Sequence, residues 1–286
     1  MNAAPRPQAP AAQPFPAGST RKRFRVQNFA EYKATGRKLT MLTAYDGLTA
    51  KIFDNSGIDL ILVGDSIGDN MLGYENTIPV TMDELVVATR SVARATKYAM
   101  VVADLPFGSY EASPEQAFHS AVRMMKEAGA HSVKIEGGER VAQHVHLLTS
   151  AGIPVVGHLG LTPQSENMLG GKRVQARSDA AAEKLCDDAL ALQEAGAVAI
   201  VLEMVPAPVA ERVTEILRIP TIGIGAGVKV DGQVLVWTDM AGMTTWSPRF
   251  AKQFAQIGED LTNATREYID AVQTAQFPGA EHSFDY

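Results

Sequence analysis

One cysteine, Cys186, is present in the whole chain of 286 residues, so no internal disulfide can form. Zinc sites built from paired cysteines, or from histidines at metal-binding spacing, are missing too. No apolar run approaches the roughly 18 residues of a membrane-crossing helix, and the N-terminus lacks the basic-then-apolar order of a signal peptide. These absences predict a protein of the reducing cytoplasm with no membrane partner. A basic excess is lacking as well. With 26 Lys and Arg against 32 Asp and Glu, the net charge of -6 offers no footprint for nucleic acid. The one dense basic run, Arg21-Lys22-Arg23, reads as a solvated flank. No full G-x-G-x-x-G follows any apolar run, which removes the dinucleotide-binding signature.

What is present is a chain of ordinary globular composition, 46% hydrophobic and 20% charged. Residues 1–20, rich in Ala and Pro without periodicity, predict a disordered tail. Residues 21–275 predict one catalytic domain, and residues 276–286, with Pro278 and Gly279, a frayed end. From residue 38 onward short apolar runs alternate with amphipathic segments. Eight strands are expected, at 39–43, 60–65, 100–105, 133–137, 155–160, 199–205, 221–227 and 233–239. Between them, Thr81 with Glu84 and Ser113 with Gln116 match the helix capping box, and Pro114 suits a first helical position. Helices are expected at 178–195 and 206–217, and from Ser247-Pro248 onward. Cys186 lies beside Leu185, Ala189 and Leu190, which predicts a buried helical thiol.

Eight strands alternating with helices predict an α/β fold, a single-domain (β/α)8 TIM barrel, whose active sites gather at the carboxyl ends of the strands. An open doubly wound sheet competes, and the link between the seventh and eighth strands is too short for an ordinary helix. On the barrel reading, polar groups recur at one level. Asp65, Asp104, Glu136, His158 and Glu203 stand at or near the ends of strands two to six. Parallel strands are buried on both faces and carry few polar residues, so five in succession require a reason. Three acids with all-oxygen donors favour a hard cation such as Mg²⁺, some of them binding through water. Lys134, two residues before Glu136, shares its face of the strand, where acids or an anionic substrate would compensate it. Glu203, flanked by Leu202 and Met204, is the candidate general base, since an apolar setting suits a carboxyl group to proton transfer near neutral pH. Buried structural ion pairs would account for any one of these residues taken singly, and a neutral core imidazole for His158. The GIGAG of 223–227 lacks the lysine and serine of a phosphate loop.

The stretches TAYD (43–46), LVGDSIG (62–68), PVTMDE (79–84), ADLPFGSY (103–110), VKIEGG (133–138), VVGHLGLTPQS (155–165), GGKRVQAR (170–177) and PTIGIGAG (220–227) occur in order. In these the chain resembles the ketopantoate hydroxymethyltransferase family. The resemblance implies a barrel enzyme of pantothenate biosynthesis that uses Mg²⁺. Its metal-linked acids fall on Asp65, Asp104 and Glu136, its keto-acid contacts on Asp65, Ser66, Asp104 and Lys134 with His158 in the same pocket, and its proton acceptor on Glu203. It further implies transfer of a hydroxymethyl group from 5,10-methylenetetrahydrofolate to 3-methyl-2-oxobutanoate through a Mg²⁺-steadied enolate, giving 2-dehydropantoate. A homo-oligomer, typically a decamer, goes with it. Two departures stand out. Lys172 and Ala176 replace an aromatic residue and a glycine of the family pattern, and Asp69 and Asn70 follow Gly68 where apolar residues are common. A lyase or mutase of the phosphoenolpyruvate mutase and isocitrate lyase group is the rival enzyme, but it would need a reactive cysteine in a mobile loop. A non-catalytic barrel serving as a binding module is the rival outside enzymes.

Overall fold

Apolar runs four to six residues long, each bounded by turn residues, form the strands of this computed structural model, which describes residues 21–284. The expected tail at 1–20 lies outside the described residues. Eight parallel strands close into a barrel in sequence order, β1 (Leu39–Thr43), β2 (Leu60–Val63), β3 (Met100–Asp104), β4 (Ser132–Glu136), β5 (Val155–Gly160), β6 (Ala199–Glu203), β7 (Thr221–Ile224) and β8 (Gly232–Leu235). The short β7–β8 link does not prevent closure. Leu39 N–H donates to Asp231 O at 2.8 Å, carrying the chain before β8 onto the start of β1. The helices are α1 (Val26–Thr35), α2 (Gly47–Ser56), α3 (Met82–Ala95), α4 (Pro114–Arg123), α5 (Ala142–Ser150), α6 (Glu166–Leu169), α7 (Asp179–Glu194), α8 (Ala207–Ile216), α9 (Trp237–Ala241) and α10 (Ile257–Gln273).

Two compact units divide the described chain after Val234. The first holds β1 to β7, β8 up to Val234, and α1 to α8. β2, β3 and β4 are buried at every position, as strands covered on both faces must be. Burying a leucine- or isoleucine-sized side chain contributes roughly 1.5–3 kcal/mol. Ile61, Leu60, Met100, Ile135 and Leu148 are all closed to solvent, so the barrel interior and the layer beneath the helices supply most of the driving force. The second unit contains α9, α10 and a 3-10 turn at Ala280–His282, with Phe277 set against the rings of Tyr268 and His282.

Several local expectations need correction. The Thr81–Glu84 capping box forms in full at α3. At α4, Ser113 does cap Gln116 N–H, but the Gln116 side chain accepts from Ala112 and donates to Gly108 O instead of closing the box. The helix expected from Ser247-Pro248 begins only at Ile257, because Phe254 N–H donates to Met240 O at 2.8 Å, which a continuous helix would forbid. The end of the eighth predicted strand is instead helix α9. β2 stops at Val63, so Asp65 sits in the turn beyond it, where Gly68 N–H bonds Asp65 O.

Candidate active site

Strand register determines which side chains meet. Asp104 pairs with Lys134 across β3 and β4, Glu136 with His158 across β4 and β5, and Gly160 with Glu203 across β5 and β6. Paired residues present their side chains to the same face, so the polar groups of β3 to β6 gather at the carboxyl end of the barrel. Glycine is needed at two points of close approach. At Gly64 a Cβ would stand 3.2 Å from Asp104 Oδ2, in the gap across which Asp65 N–H reaches that oxygen at 3.0 Å. At Gly160, with φ +90°, a Cβ would come within 2.2 Å of Glu203 O.

The cluster is dry. Asp65, Asp104, Lys134, Glu136 and His158 are all buried, and the Glu203 side chain is 17% exposed at its edge. Lys134 Nζ lies 3.0 Å from Asp104 Oδ1 and 3.7 Å from Glu136 Oε1. His158 bridges two acids, Nδ1 standing 3.1 Å from Glu136 Oε1 and Nε2 3.2 Å from Glu203 Oε2. Ser66, half-buried, exchanges a hydrogen bond with Tyr45 Oη at 2.8 Å. The structure thus brings together Asp65, Asp104, Lys134, Glu136, His158 and Glu203, while Ser66 follows Asp65 in the turn with its hydroxyl on Tyr45. One reason changes: Leu202 and Met204 flank Glu203 in sequence, yet it is the imidazole of His158 that meets its carboxylate.

Electrostatics follow from this crowding. Desolvation pushes Asp65 well above the ordinary carboxylate range, and the charges of Asp104 and Glu136 push it further. Asp104 is also raised by desolvation, although Lys134 opposes the shift. Glu136 is desolvated too, but the His158 charge and hydrogen bond outweigh burial and hold it low. Burial and Lys134 both disfavour the His158 imidazolium; Glu136 and Glu203 outweigh them and bring its pKa up to about 9. Burial likewise opposes the Lys134 ammonium, which the surrounding acids nevertheless favour. Were all four carboxylates ionised they would outnumber the two cations by two charges, and the raised Asp65 and Asp104 are the response of the cluster to that excess.

That excess fits a divalent cation, and so do the donors. Asp104 Oδ1 is buried beside the Lys134 ammonium at 3.0 Å and takes no other hydrogen bond among the described residues, so a lone pair stays open to a cation. Both Glu136 oxygens are already engaged, by His158 and by Gln164 N–H at 3.0 Å. Among the described residues no trio of His, Cys, Asp or Glu stands ready as a closed metal cage. An ion held by one or two carboxylates and by water matches this arrangement, which is the habit of Mg²⁺.

Sequence reasoning missed Gln164 and Tyr110. Both lie in quoted motifs, but a glutamine after a proline turn and a tyrosine in a loop give no sequence signal of burial. Two departures find explanations. Lys172 Nζ and Asp69 Oδ2 are partners at 3.4 Å, joining the loops after β5 and β2. Ala176 adopts φ +54°, a left-handed conformation that glycine takes at no steric cost. Met204 is also left-handed, at φ +47°, and is held by bonds at both backbone groups, its N–H to Ile224 O and its carbonyl from Gln175 N–H. Cys186 is buried on α7 and desolvation raises its thiol, so it offers no reactive thiolate.

A family model described as ketopantoate hydroxymethyltransferase matches residues 23–280. A 3-methyl-2-oxobutanoate hydroxymethyltransferase of Leifsonia xyli subsp. xyli is 59% identical over 94% of this chain and 97% of its own. Its namesake from Thermobifida fusca is 54% identical over 93% and 95%. Among solved structures, a phosphonopyruvate hydrolase superposes with a TM-score of 0.60 at 13% identity, covering 90% of this chain and 92% of its own. A phosphoenolpyruvate phosphomutase from Streptomyces platensis subsp. rosaceus reaches 0.59 at 15%, covering 88% of each chain. At such identities these structures testify to the barrel fold alone.

Proposed function

The chain belongs to the ketopantoate hydroxymethyltransferase family, and from that membership we propose that it transfers a hydroxymethyl group from 5,10-methylenetetrahydrofolate to 3-methyl-2-oxobutanoate, giving 2-dehydropantoate for pantothenate synthesis. The observation that carries this reading is the convergence of Asp65, Asp104, Lys134, Glu136, His158 and Glu203 in one buried cluster whose acids outnumber its bases.

Asp65 and Asp104 would hold Mg²⁺ directly and Glu136 through water. The ion, when bound, supplies Lewis-acid polarisation of the keto oxygen, on which negative charge grows as the C3–H bond breaks. Lys134 and Ser66 orient the keto acid, the ammonium pairing with its carboxylate. Glu203, at the wetter edge of the pocket, takes the C3 proton, and His158 holds that carboxylate in place. Carbon C3 then attacks the methylene carbon of the reduced folate, one of whose two carbon–nitrogen bonds has opened with the freed nitrogen taking up a proton. Water displaces the second nitrogen, its hydroxyl going to the carbon and its proton to that nitrogen, to release 2-dehydropantoate and tetrahydrofolate. Among the described residues no helix is long and apolar enough to cross a membrane; work in the cytoplasm on small soluble substrates is part of the proposal. A homo-oligomer, typically a decamer, remains part of the proposal, and the exposed Leu261, Ile269 and Val272 of α10 are apolar side chains that association of copies could cover.

Proton exchange tests the chemistry apart from the folate. In deuterated water the protein with Mg²⁺ should wash out the C3 proton of 3-methyl-2-oxobutanoate, read by NMR, and form 2-dehydropantoate when the folate is added. Glu203→Gln should fold and bind Mg²⁺ yet lose exchange by 10²-fold or more, on the order of a general base's contribution. Undiminished exchange would remove Glu203 from the base role, and absence of product from the wild type would sink the reading.

A further inference from the structure

Each of the three acids has one oxygen tied to an N–H donor. Asp104 Oδ2 accepts from Asp65 N at 3.0 Å, Glu136 Oε2 from Gln164 N at 3.0 Å, and Asp65 Oδ2 from Gln164 Nε2 at 2.8 Å. Gln164 therefore supplies two of the three ties from one residue, its backbone to Glu136 and its side chain to Asp65. It is buried in the 3-10 turn Pro163–Ser165 after β5.

The amide can point only one way. Nε2 faces two acceptors, Asp65 Oδ2 and, at 2.9 Å, the carbonyl of Leu105. Its oxygen faces the Tyr110 hydroxyl at 2.6 Å. Turning the amide over would set its oxygen against two acceptor oxygens, those of Asp65 and Leu105. Tyr110, closed to solvent, is held in turn by Glu136 N–H, which donates to its hydroxyl at 3.3 Å.

We propose that Gln164, locked by Tyr110, is a positioning residue that keeps the acid cluster monodentate and thereby sets its preference for Mg²⁺ over Ca²⁺. With Oδ2 committed to the amide, Asp65 can offer a cation Oδ1 alone. Glu136, its Oε2 tied to the Gln164 backbone and its Oε1 against His158, is held back from chelating a cation through both oxygens. Mg²⁺ is small, six-coordinate and satisfied by single oxygens and water, whereas Ca²⁺ gains from carboxylates that chelate through both oxygens. Removing the amide donor frees the second Asp65 oxygen and lets that carboxylate rotate, which harms the smaller ion more. This inference rests on the reading of the cluster as a Mg²⁺ site.

The test is metal competition on the full-length protein, without substrate. Bound Mn²⁺ loses its free-ion paramagnetic resonance signal, and displacement by Mg²⁺ or by Ca²⁺ gives both affinities. Gln164→Met should weaken Mg²⁺ binding by about 10-fold or more, the usual effect of removing a group that orients a metal ligand. Ca²⁺ binding should change by less than about threefold, so the Mg²⁺/Ca²⁺ ratio falls. Tyr110→Phe keeps the packing and removes the lock on the amide together with the hydroxyl's two 3.3 Å contacts to the Glu136 backbone, and should move the ratio the same way by a smaller factor. It also carries the test if Gln164→Met fails to fold. General loosening of the pocket would weaken both ions alike. An unchanged ratio in the folded variants overturns the proposal while leaving the metal site standing, whereas a wild type that binds no Mn²⁺ sinks the metal site and the proposal together.

Discussion

Replacing Lys134 by methionine keeps the length of the side chain and removes the ammonium from the centre of the acid cluster. Two carboxylate oxygens lie 3.0 and 3.7 Å from Nζ. At an effective dielectric of about 20, each contact at such a distance corresponds to roughly 5 kcal/mol of Coulomb attraction. The His158 ring nitrogen, 3.1 Å away and cationic at neutral pH, cancels much of one. A residual of about 3–5 kcal/mol agrees with the usual cost of removing one partner from a buried ion pair. The variant should therefore be destabilised by about that amount at pH 7 without metal, measured by urea denaturation followed by circular dichroism. Two further responses distinguish lost charge from lost packing. Asp65 and Asp104 already sit above the ordinary carboxylate range, so the fold binds protons there that the unfolded chain does not. As the pH falls from 7 towards the ordinary carboxylate range the variant should regain part of its stability relative to wild type. Millimolar Mg²⁺ should restore part of it as well. A variant within about 1 kcal/mol of wild type, or one whose deficit ignores both pH and Mg²⁺, would refute the electrostatic account.

Two other perturbations test parts of the barrel away from the acids. Ala176→Gly relieves a left-handed backbone at φ +54°, and should stabilise the protein by about 0.5–1 kcal/mol, seen as a melting temperature higher by about 1–3 °C; a fall would mean the methyl group packs usefully. His131 is held down to about 4 by desolvation and by the charges of Arg23 and Arg25. The unfolded chain takes up a proton there first, so stability is complete above about pH 6.5 and declines by about 1–2 kcal/mol on going to pH 5. His131→Gln should flatten that slope, and an unaltered pH profile of urea midpoints would contradict the assignment.

Strand positions were legible because apolar runs of four to six residues between turn signals have few other solutions. Opposed polar residues at their ends pointed to one mouth of the barrel for the same reason. Helix ends with a complete local signal, such as Thr81 with Glu84, formed as expected. Where local signals competed with tertiary bonds, the latter won: Gln116 turned to Gly108, and the segment after Pro248 gave up helix for the bond between Phe254 and Met240. Gln164 was invisible because its importance lies in three partners distant in sequence, on Asp65, Leu105 and Tyr110.

By itself the sequence determined the number and order of the strands and, through their two-residue period, that Lys134 and Glu136 share a face. Closure and stagger of the barrel decided the rest. They set Asp104 beside Lys134, placed His158 between Glu136 and Glu203, and put a glutamine amide against Asp65. Periodicity along a strand is a local property of the backbone, whereas which side chains meet across strands depends on register, and register exists only once the sheet has closed.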